Sequence, residues 1–295
     1  MKSSALKIKD KTIYMYILPF VVLFIVAFII PLCMSLGISF TSWKGGKNIQ
    51  LVGVNNYIKL FGDKIFWLSF LNNLKFIAIM LTAQIGLAFI FAIFVQNKRV
   101  KFQGIHRRLI FLPSILSAIV VAMIWQIVYN NDIGMIAEIM RRIGLDSLIP
   151  LWLDDPNLVI WSLSIVLIWQ FVGQYVIIIM TGLQNVDPSL LEAAQIDGAS
   201  NFQSIKYITL PLMKPTLFVC VTLCISGCMK LFDTIYALTG GGPGRSSTVT
   251  ALYAYDVAFK LKDLGYASAV SMGMIILSLL LIIIAKRIMS RKEDI

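Results

Sequence analysis

Six stretches of the chain are almost continuously apolar: roughly residues 13–40, 66–95, 109–128, 158–183, 216–238 and 266–288. Each reaches the about 20 residues that a helix needs to cross the hydrocarbon core of a bilayer. None alternates apolar and polar positions, as a barrel strand would. Each therefore predicts a membrane-spanning helix, which satisfies its own backbone hydrogen bonds in lipid. The connections carry the turn chemistry. Gly240-Gly241-Gly242-Pro243-Gly244 cannot continue a helix and closes the fifth run. Asp154-Asp155-Pro156 offers a cap and a first-turn proline ahead of the fourth. Pro19 and Pro31 predict a bend or an irregular end in the first. There is no heptad, low-complexity tract or strong internal repeat.

Composition agrees with lipid as the solvent. The 295 residues are 58% hydrophobic and 14% charged, with a mean hydropathy of +0.83, whereas soluble domains carry about 25% charged residues. The expected architecture is an all-α membrane protein with a cytoplasmic tail over 1–12, one membrane domain over 13–289 and a second cytoplasmic tail over 290–295. Lys2, Lys7, Lys9 and Lys11 before the first run resemble the basic start of a signal peptide. The run is long and no small-x-small site follows it, so it reads as a retained first span.

The net charge is +11. A nucleic-acid binder would gather such charge on one soluble face; here it sits in short connections between apolar runs. With six spans, both termini share a side. That side and its connections hold fifteen of the 26 Lys and Arg, including Lys98, Arg99, Lys101, Arg107 and Arg108, against nine in the opposite segments. The positive-inside rule puts the termini in the cytoplasm. Trp43, Trp67, Trp125, Trp152 and Trp161 fall near the outer ends, as an interfacial belt would.

Little in the chain carries bond-making chemistry. Cys220, Cys224 and Cys228 repeat every fourth residue and share one helix face; without clustered His or a fourth ligand they read as small residues at a helix contact, not a metal site. Cys33 stands apart and no disulfide framework emerges. His106, the single histidine, lies in a basic connection. There is no Walker A pattern, no carboxylate pair and no nucleophile with its base. The chain reads as a non-enzyme that binds no cofactor of its own. Ionisable groups at membrane depth are costly. Lys75 sits close enough to a span end to snorkel. Lys230 and Asp233, three apart in the fifth run, are placed to pair on one helix face or to line a path.

Residues 187–215, between the fourth and fifth runs, encode two short helices. Asp187 is a good N-cap and Pro188 suits the first helical position. Glu192, Ala193 and Ala194 favour helix, and Gly198 can stop it in the left-handed region. Ser200 and Gln203 form a capping-box pattern for a second helix, which Pro211 and Pro215 limit. Ala193 and Ala194 would give the first helix a face almost free of side chain, which a partner can approach closely. A capped loop with no partner is the plainer alternative.

This segment resembles the EAA loop of ABC-importer permeases, E-A-A, three residues, G, nine residues, I-x-L-P. Glu192-Ala193-Ala194, Gly198 and Ile208-x-Leu210-Pro211 fall at those spacings without a gap. The family often has proline where this chain has Asp187; here it comes one residue later. Asn55-Asn56-Tyr57, Phe111-Leu112-Pro113, Trp152-Leu153-x-Asp155-Pro156 and Phe232-Asp233-x-Ile235-Tyr236-x-Leu238-Thr239-Gly240-Gly241-Gly242-Pro243 are similar, in order, to the first permease of carbohydrate importers, the group of the maltose and glycerol-3-phosphate permeases.

The resemblance implies a type I ABC importer permease fold with six spans and a cytoplasmic coupling helix between spans four and five. It implies that Glu192, Ala193, Ala194, Asp197 and Gly198 contact a cytoplasmic ATPase dimer that binds the ATP. It also implies a second permease subunit and an extracytoplasmic solute-binding protein, in the cell membrane. By the family's pattern the solute path passes spans four and five. There Trp169, Gln170, Gln174, Lys230 and Asp233 are the candidates, because an indole stacks on a sugar face and amides bond hydroxyls. The expected solute is a mono- or oligosaccharide or a glycerol-phosphate-like compound. The alternatives are an ABC permease for a polyamine or phosphate, or a secondary transporter, which usually needs inverted repeats and coupling carboxylates.

Overall fold

The computed structural model describes residues 10–96 and 100–290. The basic residues Lys2, Lys7, Lys9, Lys98, Arg99, Arg291 and Lys292, and most of the two expected tails, lie outside the described residues. Among the described residues all regular structure is helical, apart from an isolated antiparallel bridge between Thr41 and Leu51.

Four helices are long and apolar enough to cross a membrane unbroken: Met15–Ser39, Lys64–Gln96, Val159–Gln184 and Leu264–Met289. Two of the six predicted runs are not single helices. The third is bent by 98° between Gln103–Ile115 and Ala118–Val128. Pro113 sits in a tight 3-10 turn over Leu112–Ile115, and Ser117 restarts the chain as an N-cap, accepting from the Val120 amide. The fifth run stops early: Lys214–Met229 meets Asn201–Leu212 at 72°, and a separate short helix, Asp233–Thr239, follows after a three-residue break. Counting each bent pair as one span brings the total to six.

Proline placement explains two of the remaining irregularities. A proline inside a helix removes one hydrogen bond and clashes with the carbonyl four residues earlier. Pro31 and Pro211 each follow a widened π turn, over Ile25–Ile29 and Ile205–Thr209, that contains that carbonyl. Pro19, in contrast, lies inside an α-helical stretch, Asp10–Phe24.

The chain divides into two compact units. One holds residues 1–62 and 254–273. Here the Asn56 amide donates to the carbonyls of Ser39 and Thr41, both at 2.8 Å, and the Tyr57 hydroxyl lies 2.6 Å from Ser39 Oγ. These contacts fasten the helix Asn55–Gly62 against the end of the first long helix, and give Asn55-Asn56-Tyr57 a structural role. Lys59 adds an ion pair to Asp263 at 3.4 Å and lies over the Tyr266 ring.

The other unit holds residues 63–253 and 274–295. Its centre is the helix Val159–Gln184, where Leu163, Leu167 and Ile179 are fully buried, as are Phe66, Phe76 and Met229 on neighbouring helices. Two glycines let neighbouring backbones approach this helix. A Cβ on Gly173 would collide with the Ile110 carbonyl and stand 2.7 Å from Phe111 Cα; one on Gly182 would stand 2.6 Å from Thr216 Oγ1. Small residues at crossings are how helices pack when lipid offers no hydrophobic drive. Cys220, Cys224 and Cys228 lie on the buried face of Lys214–Met229, in agreement with a helix-contact role. Asp63 starts this unit by capping Lys64–Ile79 through the amides of Ile65 and Phe66.

Candidate functional site

The break after Met229 opens the wall of a cavity of about 330 Å3. The end of Lys214–Met229, the Lys230-Leu231-Phe232 linker and the start of Asp233–Thr239 form one side, and Phe171, Gln174 and Tyr175 from Val159–Gln184 form another. Met80 and Gln84 come from a π turn over Met80–Gln84. Irregular backbone at membrane depth is tolerated where it is buried in protein or lines a cavity.

Lys230 and Asp233 both line this cavity. They do not share a helix face, because the helix ends between them: Lys230 is the C-cap of one helix and Asp233 the first residue of the next. Among the described residues no ion pair joins them within 4.0 Å. The same-face pairing predicted from their spacing is corrected accordingly. One cationic and one anionic group face the space, beside the amides of Gln84 and Gln174 and the rings of Phe171, Phe232 and Tyr175. Such a lining can donate to and accept from hydroxyls while an aromatic face covers an apolar one.

The other two candidates of the fourth span lie elsewhere. Trp169 is 38% exposed and meets Trp125 edge to face at 5.8 Å. Gln170 is only 2% exposed; its Nε2 donates to the Leu116 carbonyl at 3.2 Å, at the break of the bent third span. That bond supplies a partner to a carbonyl released where the helix is interrupted. Neither side chain lines the cavity.

Gln84, Tyr175 and Phe171 carry no motif in the sequence, and Phe232 enters there only as part of the family pattern, without a role in the path. For Gln84 there was a signal, a lone amide in an apolar run. Two more polar residues in such a run, Asn72 and Asn73, are fully buried. Asn73 Nδ2 donates to the Cys228 carbonyl at 2.7 Å, and its Oδ1 accepts from the Thr250 amide and hydroxyl at 2.9 and 3.0 Å. Asn72 Nδ2 donates to the carbonyls of Arg245 and Thr248. Lys75, predicted to snorkel, donates to Asn72 Oδ1 at 3.3 Å.

The segment 187–215 forms a second candidate site. Asp187 accepts from the Ser189 amide at 2.9 Å, and that hydrogen bond holds its carboxyl below the usual carboxylate range. The helix Pro188–Ile196 ends on Gly198 at φ +81°. Its closing bonds, Gly198 N–H to Gln195 and Ala199 N–H to Ala194, make a Schellman motif. Ser200 and Gln203 then cap Asn201–Ser204 reciprocally. The second helix runs through its π turn over Asn201–Leu212 and ends between Pro211 and Pro215, ahead of Lys214–Met229, as expected. Glu192, Ala193, Asp197 and Gly198 are exposed, but Ala194 is 9% exposed and faces inward. The predicted smooth face is therefore built from Ala193 without Ala194.

Comparison with known proteins places the chain. Residues 84–294 match the family described as the binding-protein-dependent transport system inner membrane component. The trehalose/maltose transport system permease protein MalF of Thermococcus litoralis is 33% identical over 245 residues, 82% of this chain and 81% of the relative. The lactose transport system permease protein LacF of Rhizobium radiobacter is 29% identical, over 92% and 91%. A chain of the bacterial alginate ABC transporter, solved in complex with an alginate pentasaccharide-bound periplasmic protein, superposes with a TM-score of 0.82 at 23% identity, over 96% of this chain and 95% of that one. That likeness shows a shared fold. The chain belongs to the binding-protein-dependent transport system inner membrane component family, the permease components of ABC importers.

Proposed function

We propose that this chain is the permease subunit of an ABC sugar importer and forms half of the translocation pathway for a mono- or oligosaccharide. The observation that carries the reading is the cavity at the break of the fifth span. There Gln84, Gln174, Lys230 and Asp233 converge with three aromatic rings, and the two charged groups form no ion pair with each other. A polyol meets such a lining without carrying a net charge, because its hydroxyls both donate to the carboxylate and accept from the ammonium. Relatives named for trehalose/maltose and lactose transport support a sugar over a polyamine or phosphate.

In this reading six spans cross the inner membrane with both termini in the cytoplasm. The segment 187–215 docks on a cytoplasmic ATPase dimer, which hydrolyses the ATP. A second permease completes the path, and an extracytoplasmic binding protein delivers the solute. A capped helix with a Schellman end moves as a rigid body, which is what transmission of nucleotide-driven closure requires.

The test is uptake of a labelled carbohydrate panel in cells with and without the chain, with and without ATP depletion. Loss of ATP-dependent uptake of one sugar, restored by the wild-type chain and not by Lys230→Met, is expected. Unchanged sugar uptake with loss of uptake of a polyamine or phosphate would move the assignment to that solute.

A further inference from the structure

The helix Met135–Arg142 follows closely on the third span, whose last helical residue is Val128. The turn between them is locked. A Cβ on Gly134 would collide with the carbonyls of Val128 and Asn130, so glycine is what lets the chain fold back this tightly. Asn130 Oδ1 accepts from the amides of Asp132 and Ile133 at 2.8 and 2.9 Å. From the far end of the helix, Arg141 donates to the carbonyls of Asn131 and Asp132. The helix surface falls into three arcs. Ala137 is buried against the rest of the unit. Glu138 and Arg142 are exposed and pair with each other at 2.9 Å. Met135, Ile139 and Ile143, each four residues from the next, make up the third arc, with Ile133 just ahead of it. All four of these apolar side chains are more than half exposed.

We propose that this apolar arc is seated in phospholipid, at the surface of the leaflet where the third span ends, so that Met135–Arg142 is an interfacial helix. An amphipathic helix is stable there with its apolar arc in the boundary between headgroups and acyl chains and its charged arc in water. The locked turn holds the helix within a few residues of the point where the chain leaves the hydrocarbon. Exposed Ile119, Met123 and Ile127 carry an apolar surface along the span up to that turn. A soluble partner is a poorer occupant, because between encounters it would leave four large apolar side chains in water, whereas lipid is always present. The proposal goes beyond the sugar reading and needs only that the third span crosses the membrane. Its consequence reaches the cavity. Gln126 Nε2, near the end of the span, donates at 2.9 Å to the Ala237 carbonyl in Asp233–Thr239, the helix whose first residues line the cavity. The lipid-seated helix thereby fixes the depth of this wall in the bilayer.

The experiment uses the assembled transporter in nanodiscs of phosphatidylethanolamine and phosphatidylglycerol. A photoreactive benzoylphenylalanine replaces Met135, Ile139 or, separately, Arg142, and the adducts formed on illumination are identified by mass spectrometry. Phospholipid adducts from Met135 and Ile139, at least fivefold more abundant than from Arg142, are the expected result. Equal lipid adducts from all three positions would overturn the orientation of the helix. Adducts of Met135 and Ile139 with another protein chain would overturn the lipid seat and give the arc to a protein partner; no adduct with either would overturn it as well. Ile139→Cys, spin-labelled in a Cys33→Ser background, gives a second reading without the bulky probe. Collision of the label with oxygen is expected to exceed collision with a water-soluble nickel chelate, and the reverse order would place the arc in water and sink the proposal. Neither readout depends on the transported solute, so failure of the sugar assignment would leave this inference standing.

Discussion

Asn73, buried in the second span, hydrogen-bonds the Cys228 carbonyl at 2.7 Å, one residue before the fifth-span helix ends. The same amide group accepts from the backbone and the hydroxyl of Thr250. One side chain thus fastens the broken wall of the cavity to the segment that follows the glycine-rich loop. The break at 230–232 stays in place because its released carbonyl has a partner other than water.

Asn73→Leu leaves the Cys228 carbonyl with only backbone contacts from the helix end, a shared Lys230 N–H and a long bond from Leu231 at 3.4 Å, and strips the Thr250 amide of its acceptor. Unsatisfied buried groups cost about 1–3 kcal/mol each. The thermal midpoint of the purified protein in detergent is expected to fall by several degrees; an unchanged midpoint would show that water replaces the amide.

Gly173 and Gly182 both sit at helix crossings, but what a methyl group meets differs. At Gly173 it meets backbone, at Gly182 the Thr216 side chain. Overpacking costs about 1–3 kcal/mol where neighbours cannot move. Gly173→Ala is expected to reduce membrane abundance more than Gly182→Ala, measured by quantitative blotting of membranes. The reverse order would mean that the Ile110–Phe111 backbone yields.

Gln170 and Gln174 are one helical turn apart and are expected to separate function from stability. Gln174→Leu should raise the KM for uptake about tenfold or more, the loss of a hydrogen bond of about 1.5 kcal/mol, at normal abundance. Gln170→Leu should lower thermal stability with KM unchanged, because its amide serves the Leu116 carbonyl. Identical KM values for the two variants would remove the solute from this cavity.

Gly198 holds φ at +81°, which proline cannot adopt. Gly198→Pro is expected to abolish coupled transport while the chain still inserts in the membrane. Wild-type uptake by this variant would exclude the Schellman end as part of the coupling element.

Asp187 gives a pH dependence whose sign follows from its lowered carboxyl. A group with a lower pKa in the folded state stabilises it above its unfolded pKa and ceases to do so as pH falls through the folded value. Amide exchange at Ser189 and Leu190 should therefore lose protection toward acid pH, relative to base-rate exchange. Asp187→Asn keeps the cap and should show a flat profile; a profile matching the wild type would assign the titration to another group.

The sequence alone determined the elements whose causes are local. Apolar runs longer than a bilayer crossing demand helices whatever packs beside them. The caps at Asp187 and Ser200 and the stop at Gly198 need only residues within one turn, and the spacing from Glu192 to Pro211 lies within that same stretch. Tertiary structure decided everything that depends on a neighbour. Between Thr216 and Leu238 only Lys230 and Asp233 interrupt the apolar run, and neither residue type ends a helix by itself, so the end at Met229 follows from neighbours such as Asn73, which supplies a partner for the freed carbonyl. Gln170 and Gln174 look alike as amides in an apolar run; one turns to the bent third span and the other to the cavity. The pairing of Lys230 with Asp233 fails for the same reason, since helical spacing places two groups together only where the helix itself persists between them.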